Sequence, residues 1–240
     1  MSLTNVTSDL YSNPHSNFWN KTTSNTIVID LDLTMIHTFE TMEGFARVAD
    51  SPRLIRSRDR IYYFNSGETD EYWGIARPHF REFLMFCFNY FTNVIIWSAG
   101  TYHYVHAIVR FLFRDLPYKP ALVLTRDDCI IEDIDGTKCY TKPLIELAKH
   151  GFKQSTQSNT YILDDNPIAF FNDFNNAINI PEYNPKPTIE SVLAEDNAFD
   201  KIITWLKNPV VIKTKDIREL NKQKIFDEPP VEEDYSSLYE

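Results

Sequence analysis

Thr26-Ile27-Val28-Ile29 is a run of β-branched side chains that stops abruptly at Asp30-Leu31-Asp32. A strand with one wet face alternates apolar and polar residues. A run without alternation is expected to bury both faces, inside a sheet covered on each side. Residues 94–97, 121–124 and 161–163 have the same character, and 177–180 predict a fifth strand. Between these runs, apolar residues recur at helical spacing. Phe80, Phe83, Leu84 and Cys87 predict one helix, with Pro78 in its first turn. Val105, Ile108, Val109 and Leu112 predict a second. Leu144, Ile145 and Leu147 predict a third, opened by Lys142 and ended by Gly151. Ile202, Ile203 and Leu206 predict a fourth, over 197–207. Strands that alternate with helices imply an α/β domain with a mainly parallel sheet.

Two excursions interrupt the alternation. Residues 61–64 and 72–75 flank Asn65-Ser66-Gly67, and 130–134 and 137–140 flank Asp135-Gly136. Both predict small β-hairpin insertions. The stretch 39–76 is too short for a helical cap and reads as loop plus hairpin. Residues 1–25 are polar and rich in Ser, Thr and Asn, and predict a flexible lead. Residues 227–240 hold two prolines and a cluster of carboxylates, and predict a disordered acidic tail. The globular domain is then 26–226.

Open parallel sheets bind ligands beyond the carboxyl ends of their strands, so the residues that follow each strand are the candidates. Asp30, Asp32 and Thr34 follow the first, Ser98 the second, and Asp164-Asp165 the fourth. Lys142 lies between the third and fourth. A carboxylate such as Asp30 can attack phosphorus and form an aspartyl-phosphate. A second one, Asp32, can protonate the leaving oxygen and later take a proton from water. Two carboxylates facing a phosphate repel it, and a magnesium ion held by oxygen ligands relieves that repulsion. Asp164 and Asp165 supply further carboxylates, Ser98 a donor to a phosphoryl oxygen, and Lys142 a compensating charge.

Composition narrows the field. The net charge of −10 disfavours direct nucleic-acid binding. No apolar run approaches the roughly 18 residues that span a bilayer, and no signal peptide is legible, so a soluble intracellular protein is expected. Cys87, Cys129 and Cys139 are too few and too scattered for a disulfide framework or a zinc site, and are expected as free buried thiols.

The segment VIDLDLTMIHT, with its DxDxT core, resembles the signature of haloacid dehalogenase-type phosphatases. ARPHFREFL, IIWSAGTYHYV, YTKPLIEL and YILDDNPIAFF extend the likeness over residues 26–181 to the small C-terminal-domain phosphatases, also called NLI-interacting-factor-like. The resemblance implies a Rossmann-like, HAD-type sheet without a large cap domain. It implies a magnesium-dependent protein Ser/Thr phosphatase similar to those acting on the RNA polymerase II tail, which would place it in the nucleus if that tail is its target. By position, Asp30 would be nucleophile and metal ligand. Asp32 would be general acid and base, with its backbone carbonyl toward magnesium. Thr34 would brace the loop. Ser98 would bind the phosphoryl group, and Lys142 would contact both the nucleophile and the phosphate. Asp165 would ligate the metal, and Asp164 would hold the lysine or a metal-bound water. The chain departs from the family pattern at Leu33, usually Glu, at Ser98, usually Thr, and at Asp165, usually Asn. The alternatives are a phosphatase of a metabolite, nucleotide or nucleic-acid end, and an inactive phosphoprotein-binding module. An open cleft favours a phosphorylated protein or peptide, with Tyr102, His103, Tyr104 and His106 as a candidate peptide surface. Arg77 and Arg126 are expected in ordinary structural pairs.

Overall fold

A computed structural model of the chain describes residues 21–39, 42, 44–65 and 71–227. Strand β1 (Thr26–Ile29) is followed by β2 (Ile36–Phe39), helix α1 (Phe45–Ala49), β3 (Ile61–Asn65) and β4 (Glu71–Ala76). Helix α2 (Phe80–Tyr90) leads into β5 (Asn93–Trp97), and α3 (Tyr102–Leu112) into β6 (Leu122–Leu124). Then come β7 (Ile130–Ile134), β8 (Thr137–Thr141), β9 (Thr160–Asp164) and β10 (Ala177–Asn179). Helices α4 (Ile189–Leu193), α5 (Ala198–Leu206) and α6 (Pro209–Lys213) complete the set.

The main sheet has the order β10-β9-β1-β5-β6, and every pairing in it is parallel. The period of two explains the unbroken apolar runs. Ile27, Ile29, Val94, Ile96, Tyr161 and Leu163 face one layer, with Phe83, Ile108 and Ile202 of the helices. Val28, Ile95, Trp97 and Ile162 face the other, with Leu144, Leu147 and Phe170. β1 is thus buried on both sides and flanked by β5 and β9, so whatever follows it emerges at the centre of the sheet's carboxyl edge.

The two insertions are present, but the first is larger than a hairpin. β2 joins β3 and β4 in an antiparallel sheet of order β2-β4-β3. Phe39, Val48, Leu54, Trp73, Ile75, Tyr183 and Val192 form its own core, with Phe39 stacked on Trp73 at 4.1 Å. Four residues so soon after the Asp30–Thr34 loop carry little strand signal alone; it is Trp73 across the sheet that gives β2 something to bury against. The turn expected at Asn65-Ser66-Gly67 falls largely outside the described residues, as do residues 1–20 and 228–240 of the expected lead and tail. β7 and β8 form the second hairpin, turning at Asp135 and Gly136 with φ of 52° and 82°.

Three local expectations need correction. Helix α2 begins at Phe80, not at Pro78, because His79 takes a left-handed φ of 61° that no helix can include. Lys142 does not open a helix. It precedes Pro143, which keeps the residue before it extended, and a 3₁₀ segment starts only at Leu144. Gly151 does end that segment, at φ 90°. All three cysteines are free, yet only Cys87 is buried; Cys129 and Cys139 are half-exposed.

Candidate active site

Parallel register decides which side chains meet. Ile29 pairs with Leu163 on one side and Ile96 on the other, so the chain leaves all three central strands at one level. Asp30 leaves β1, Asp164 is the last residue of β9, and Ser98 follows β5. The Asp30 amide donates to the Leu163 carbonyl at 2.9 Å, which keeps the exit of β1 tied to β9. Lys142 arrives from β8, its amide anchored on the Ala169 carbonyl at 2.7 Å. Its Nζ donates to Asp30 Oδ1 at 2.5 Å and to Asp164 Oδ2 at 2.7 Å. Lys142, Asp30 and Asp164 are all buried.

Each carboxylate is held differently. Asp164 is clamped by Lys142 on one oxygen and by the Asn166 amide at 2.9 Å on the other. Asp165 accepts from Thr34 Oγ1 at 3.0 Å, and its amide donates to the same hydroxyl at 3.1 Å. Thr34 is itself fully buried, and Arg77 Nη1 donates to its carbonyl at 3.2 Å while Nε pairs with Asp196 at 2.9 Å. Arg77 therefore buttresses the loop. Leu33, at φ 59°, turns the chain just after Asp32, and its carbonyl accepts from the Tyr183 amide. Asp32 turns away from the other carboxylates. It accepts from the Tyr104 hydroxyl and lies 3.5 Å from Ser98 Oγ. Ser98 is buried, and its Oγ also accepts from the Gly100 amide at 3.0 Å.

Electrostatics follow from burial. Asp30 is pushed well above the usual carboxylate range by burial, which outweighs the nearby ammonium of Lys142; Asp164 and Asp32 push it further. Burial also raises Asp32, against the pull of the Tyr104 bond. Burial, partly offset by Thr34 and reinforced by Asp164, raises Asp165 to about 6. Burial alone would discharge Lys142, but Asp30 and Asp164 overcome it and keep the ammonium firmly protonated. Four carboxylates thus crowd one cation.

That surplus bears directly on a metal. Ligand oxygens of Asp30, Asp164 and Asp165 lie within 4.8 Å of one another. An all-carboxylate donor set, oriented by Thr34 and Lys142, suits a hard divalent cation such as magnesium. The Asp32 carboxylate is not in this trio. The site lies in a cleft of about 1010 Å³ whose walls include Phe39, Met42, Tyr72, Tyr140 and Ile168. Of the expected aromatic surface, Tyr104 lines the cleft, whereas Tyr102 packs on His106 at 4.1 Å between ring centroids. Arg126 also lines the cleft, with Nε on the Ala99 carbonyl at 2.7 Å and its guanidinium over Tyr140.

Sequence reasoning missed two braces. Asn179, on β10, donates to the carbonyls of Asp164 and Asp165 at 3.2 and 2.7 Å. A lone Asn in an edge strand carries no motif. Tyr104 was legible as an aromatic near the site, but its hydroxyl contact with Asp32 depends on how α3 packs.

A parallel α/β sheet with an aspartate cluster and a buried lysine at its carboxyl edge places the chain, as a class, among HAD-fold domains. The family described as NLI interacting factor-like phosphatase matches residues 25–218, and the chain belongs to it. The match runs past residue 181, taking in the helices that close the domain. Among solved structures, the chain is similar to Fcp1, an essential RNA polymerase II CTD phosphatase, at 18% identity and a TM-score of 0.54. That likeness covers 84% of this chain and 59% of the other. The fission yeast RNA polymerase II CTD phosphatase Fcp1 bound to beryllium fluoride is similar at 19% identity and a TM-score of 0.51, over 76% of this chain and 49% of that one. At such identities the likeness concerns the fold. No curated protein sequence matches the chain. No helix among the described residues is long and apolar enough to cross a membrane.

Proposed function

We propose that this chain is a magnesium-dependent phosphomonoester hydrolase that forms an aspartyl-phosphate on Asp30 and acts on phosphorylated Ser or Thr of a protein. The observation that carries this reading is the buried bridge Asp30–Lys142–Asp164, set beside Asp165 and open to the cleft. A purely structural ion pair needs one carboxylate per ammonium; here the excess makes sense when a cation and a phosphate share the site. Asp30, Asp164 and Asp165 would hold the magnesium ion, with the Asp32 backbone carbonyl as a further ligand. When bound, magnesium would screen the phosphoryl oxygens from these carboxylates.

The chain's own residues supply the rest. An Asp30 oxygen forms a bond to phosphorus as the bond from phosphorus to the leaving oxygen breaks. Lys142 stays charged beside both and offsets the negative charge that gathers on the phosphoryl group. Ser98 donates a hydrogen bond to one phosphoryl oxygen. Asp32 gives its proton to the leaving oxygen, then takes one from the water that releases phosphate and restores Asp30.

The substrate class rests on access. Among the described residues the additions beside the site are a three-stranded sheet and a hairpin, which wall the cleft without closing it. An open cleft admits a side chain on a large partner, whereas small-substrate enzymes gain by enclosure. The RNA polymerase II tail is a candidate by analogy with the Fcp1 structures, and the nucleus would then be the compartment. The test is hydrolysis of para-nitrophenyl phosphate with and without magnesium, followed by phosphopeptides and sugar phosphates. Metal-dependent turnover lost in Asp30→Asn and Asp32→Asn, with peptides preferred, is expected. Rapid turnover of sugar phosphates alone would overturn the substrate class, and activity that survives Asp30→Asn would overturn the nucleophile.

A further inference from the structure

Asp32 is held by a line of hydroxyls that starts in the antiparallel sheet. Its Oδ1 accepts from the Tyr104 hydroxyl on α3. The Tyr104 oxygen meets Thr38 Oγ1 on β2, and Thr38 Oγ1 meets the Tyr62 hydroxyl on β3. Asp32 Oδ1 can only accept when the group is ionised or carries its proton on Oδ2, and in both states that sets the direction of the line. Tyr104 therefore spends its one hydrogen on Asp32 and accepts from Thr38, which in turn accepts from Tyr62. The His37 carbonyl, 3.3 Å from the Tyr62 hydroxyl, is a second and longer acceptor for the same hydrogen, which the 2.5 Å contact with Thr38 Oγ1 takes in preference.

Two glycines make room for this line. Gly74 on β4 sits between Thr38 and Tyr62 in the pairing of the sheet. A Cβ there would lie 2.3 Å from the Tyr62 hydroxyl and 2.2 Å from the His37 carbonyl oxygen. A Cβ at Gly100 would lie 2.7 Å from the Tyr104 ring. Real Cβ atoms do not approach so closely, so the tyrosines reach their places only because both positions lack a side chain.

We propose that Tyr104 is a positioning residue for proton transfer: supported by Thr38 and Tyr62, it commits Oδ1 of Asp32 to accepting, so that the transferable proton is carried on Oδ2. This rests on the reading of Asp32 as the proton donor. Oδ2 has the looser hold, with Ser98 Oγ 3.5 Å away, in the wall of the cleft. As the Asp30–phosphorus bond forms and the phosphorus–oxygen bond breaks, the Oδ2 proton passes to the departing oxygen and leaves Asp32 as a carboxylate. An Asp32 free to rotate would offer the wrong oxygen for much of the time. The inserted sheet thus acts on the chemistry through one hydroxyl line, besides walling the cleft.

The test is kcat/KM of the full chain with magnesium on aryl phosphates whose leaving phenols span weak to strong bases. A phenolate that is already a stable anion needs little protonation, and a basic one needs much. Tyr104→Phe is expected to lose about threefold on para-nitrophenyl phosphate and about a hundredfold on phenyl phosphate, with KM nearly constant. Thr38→Val is expected to show the same trend more weakly, and Thr38→Ser to restore wild-type behaviour. An equal loss across the series, or a loss in KM alone, overturns the proposal. If Tyr104→Phe does not fold by circular dichroism, the Thr38 pair decides. Wild type that hydrolyses none of the esters, or an Asp32→Asn loss that ignores the leaving group, would instead overturn the underlying reading of the site.

Discussion

Lys142 is the side chain on which most of the site's stability turns. Replacing it with Met leaves Asp30 and Asp164 buried and facing each other without a cation. Breaking a buried pair in this way costs about 3–5 kcal/mol, to be read as a lower urea midpoint in metal-free protein. A change under about 1 kcal/mol would mean that the carboxylates are relieved some other way. With Asp30 as the proposed nucleophile, Asp30→Asn should remove at least about a thousandfold from kcat, whereas Asp32→Asn should cost about a hundred- to ten-thousandfold. Asp165 gives the pH test. Its carboxyl titrates near about 6 in the folded chain and near 3.8 when unperturbed. Between those values the folded chain keeps a proton that the unfolded chain has released, so metal-free stability falls as pH rises through that window. Asp165→Asn removes the effect. Its melting temperature should gain on wild type between pH 4 and pH 7, and parallel curves would show that Asp165 is not strained by its neighbours.

At the scale of elements, β4 is the hinge between fold and chemistry. It pairs with β2 on one side and β3 on the other, and Gly74 lets the Tyr62 hydroxyl cross to Thr38. Gly74→Ala must push aside the backbone oxygen of His37, which is rigid, as well as Tyr62. Overpacking of this kind costs about 1–3 kcal/mol in chemical denaturation, and it should disturb catalysis on basic leaving groups as well. A Gly74→Ala protein as stable as wild type would show that the sheet can spread there at little cost. The 3₁₀ segment Leu144–His150 has a different task. Leu144 and Leu147 bury beneath the sheet, and Asp173 accepts from the Leu144 amide at 2.7 Å, so the residue two places earlier, Lys142, is delivered to a fixed point.

For the whole molecule, a magnesium ion bound at the proposed site would link folding and function. A ligand that binds only the folded chain stabilises it by about 2.7 kcal/mol at a hundred times its dissociation constant, which for a domain of this size is a rise of about 5–10 °C in melting temperature. Magnesium should therefore raise the melting temperature, chelation should reverse the rise, and Asp165→Asn should shrink it. An unchanged transition at millimolar magnesium would argue against the trio Asp30, Asp164 and Asp165 as its site. The two layers of core on either side of β1 make the sheet's carboxyl edge rigid, so the trio is held in place before any ligand arrives.

The α/β class, the five parallel strands and the candidacy of Asp30, Asp32, Ser98, Asp164 and Asp165 at strand ends were all set by local pattern, whereas Lys142 was expected to open a helix and instead follows β8. Unbroken β-branched runs cannot sit in a half-wet sheet, and polar residues at their ends cannot be buried without a purpose or a partner. What the sequence could not decide was which groups meet across long chain separations. That Asp32 would turn to Tyr104, that 36–39 would become a strand, and that Thr38, Tyr62 and Asn179 would brace the site followed only from tertiary packing. The reason is that a hydrogen bond between residues tens of positions apart leaves no periodicity in either segment. Its partners are chosen by strand register, by the space at Gly74 and Gly100, and by the burial that makes an unsatisfied hydroxyl or carboxylate costly.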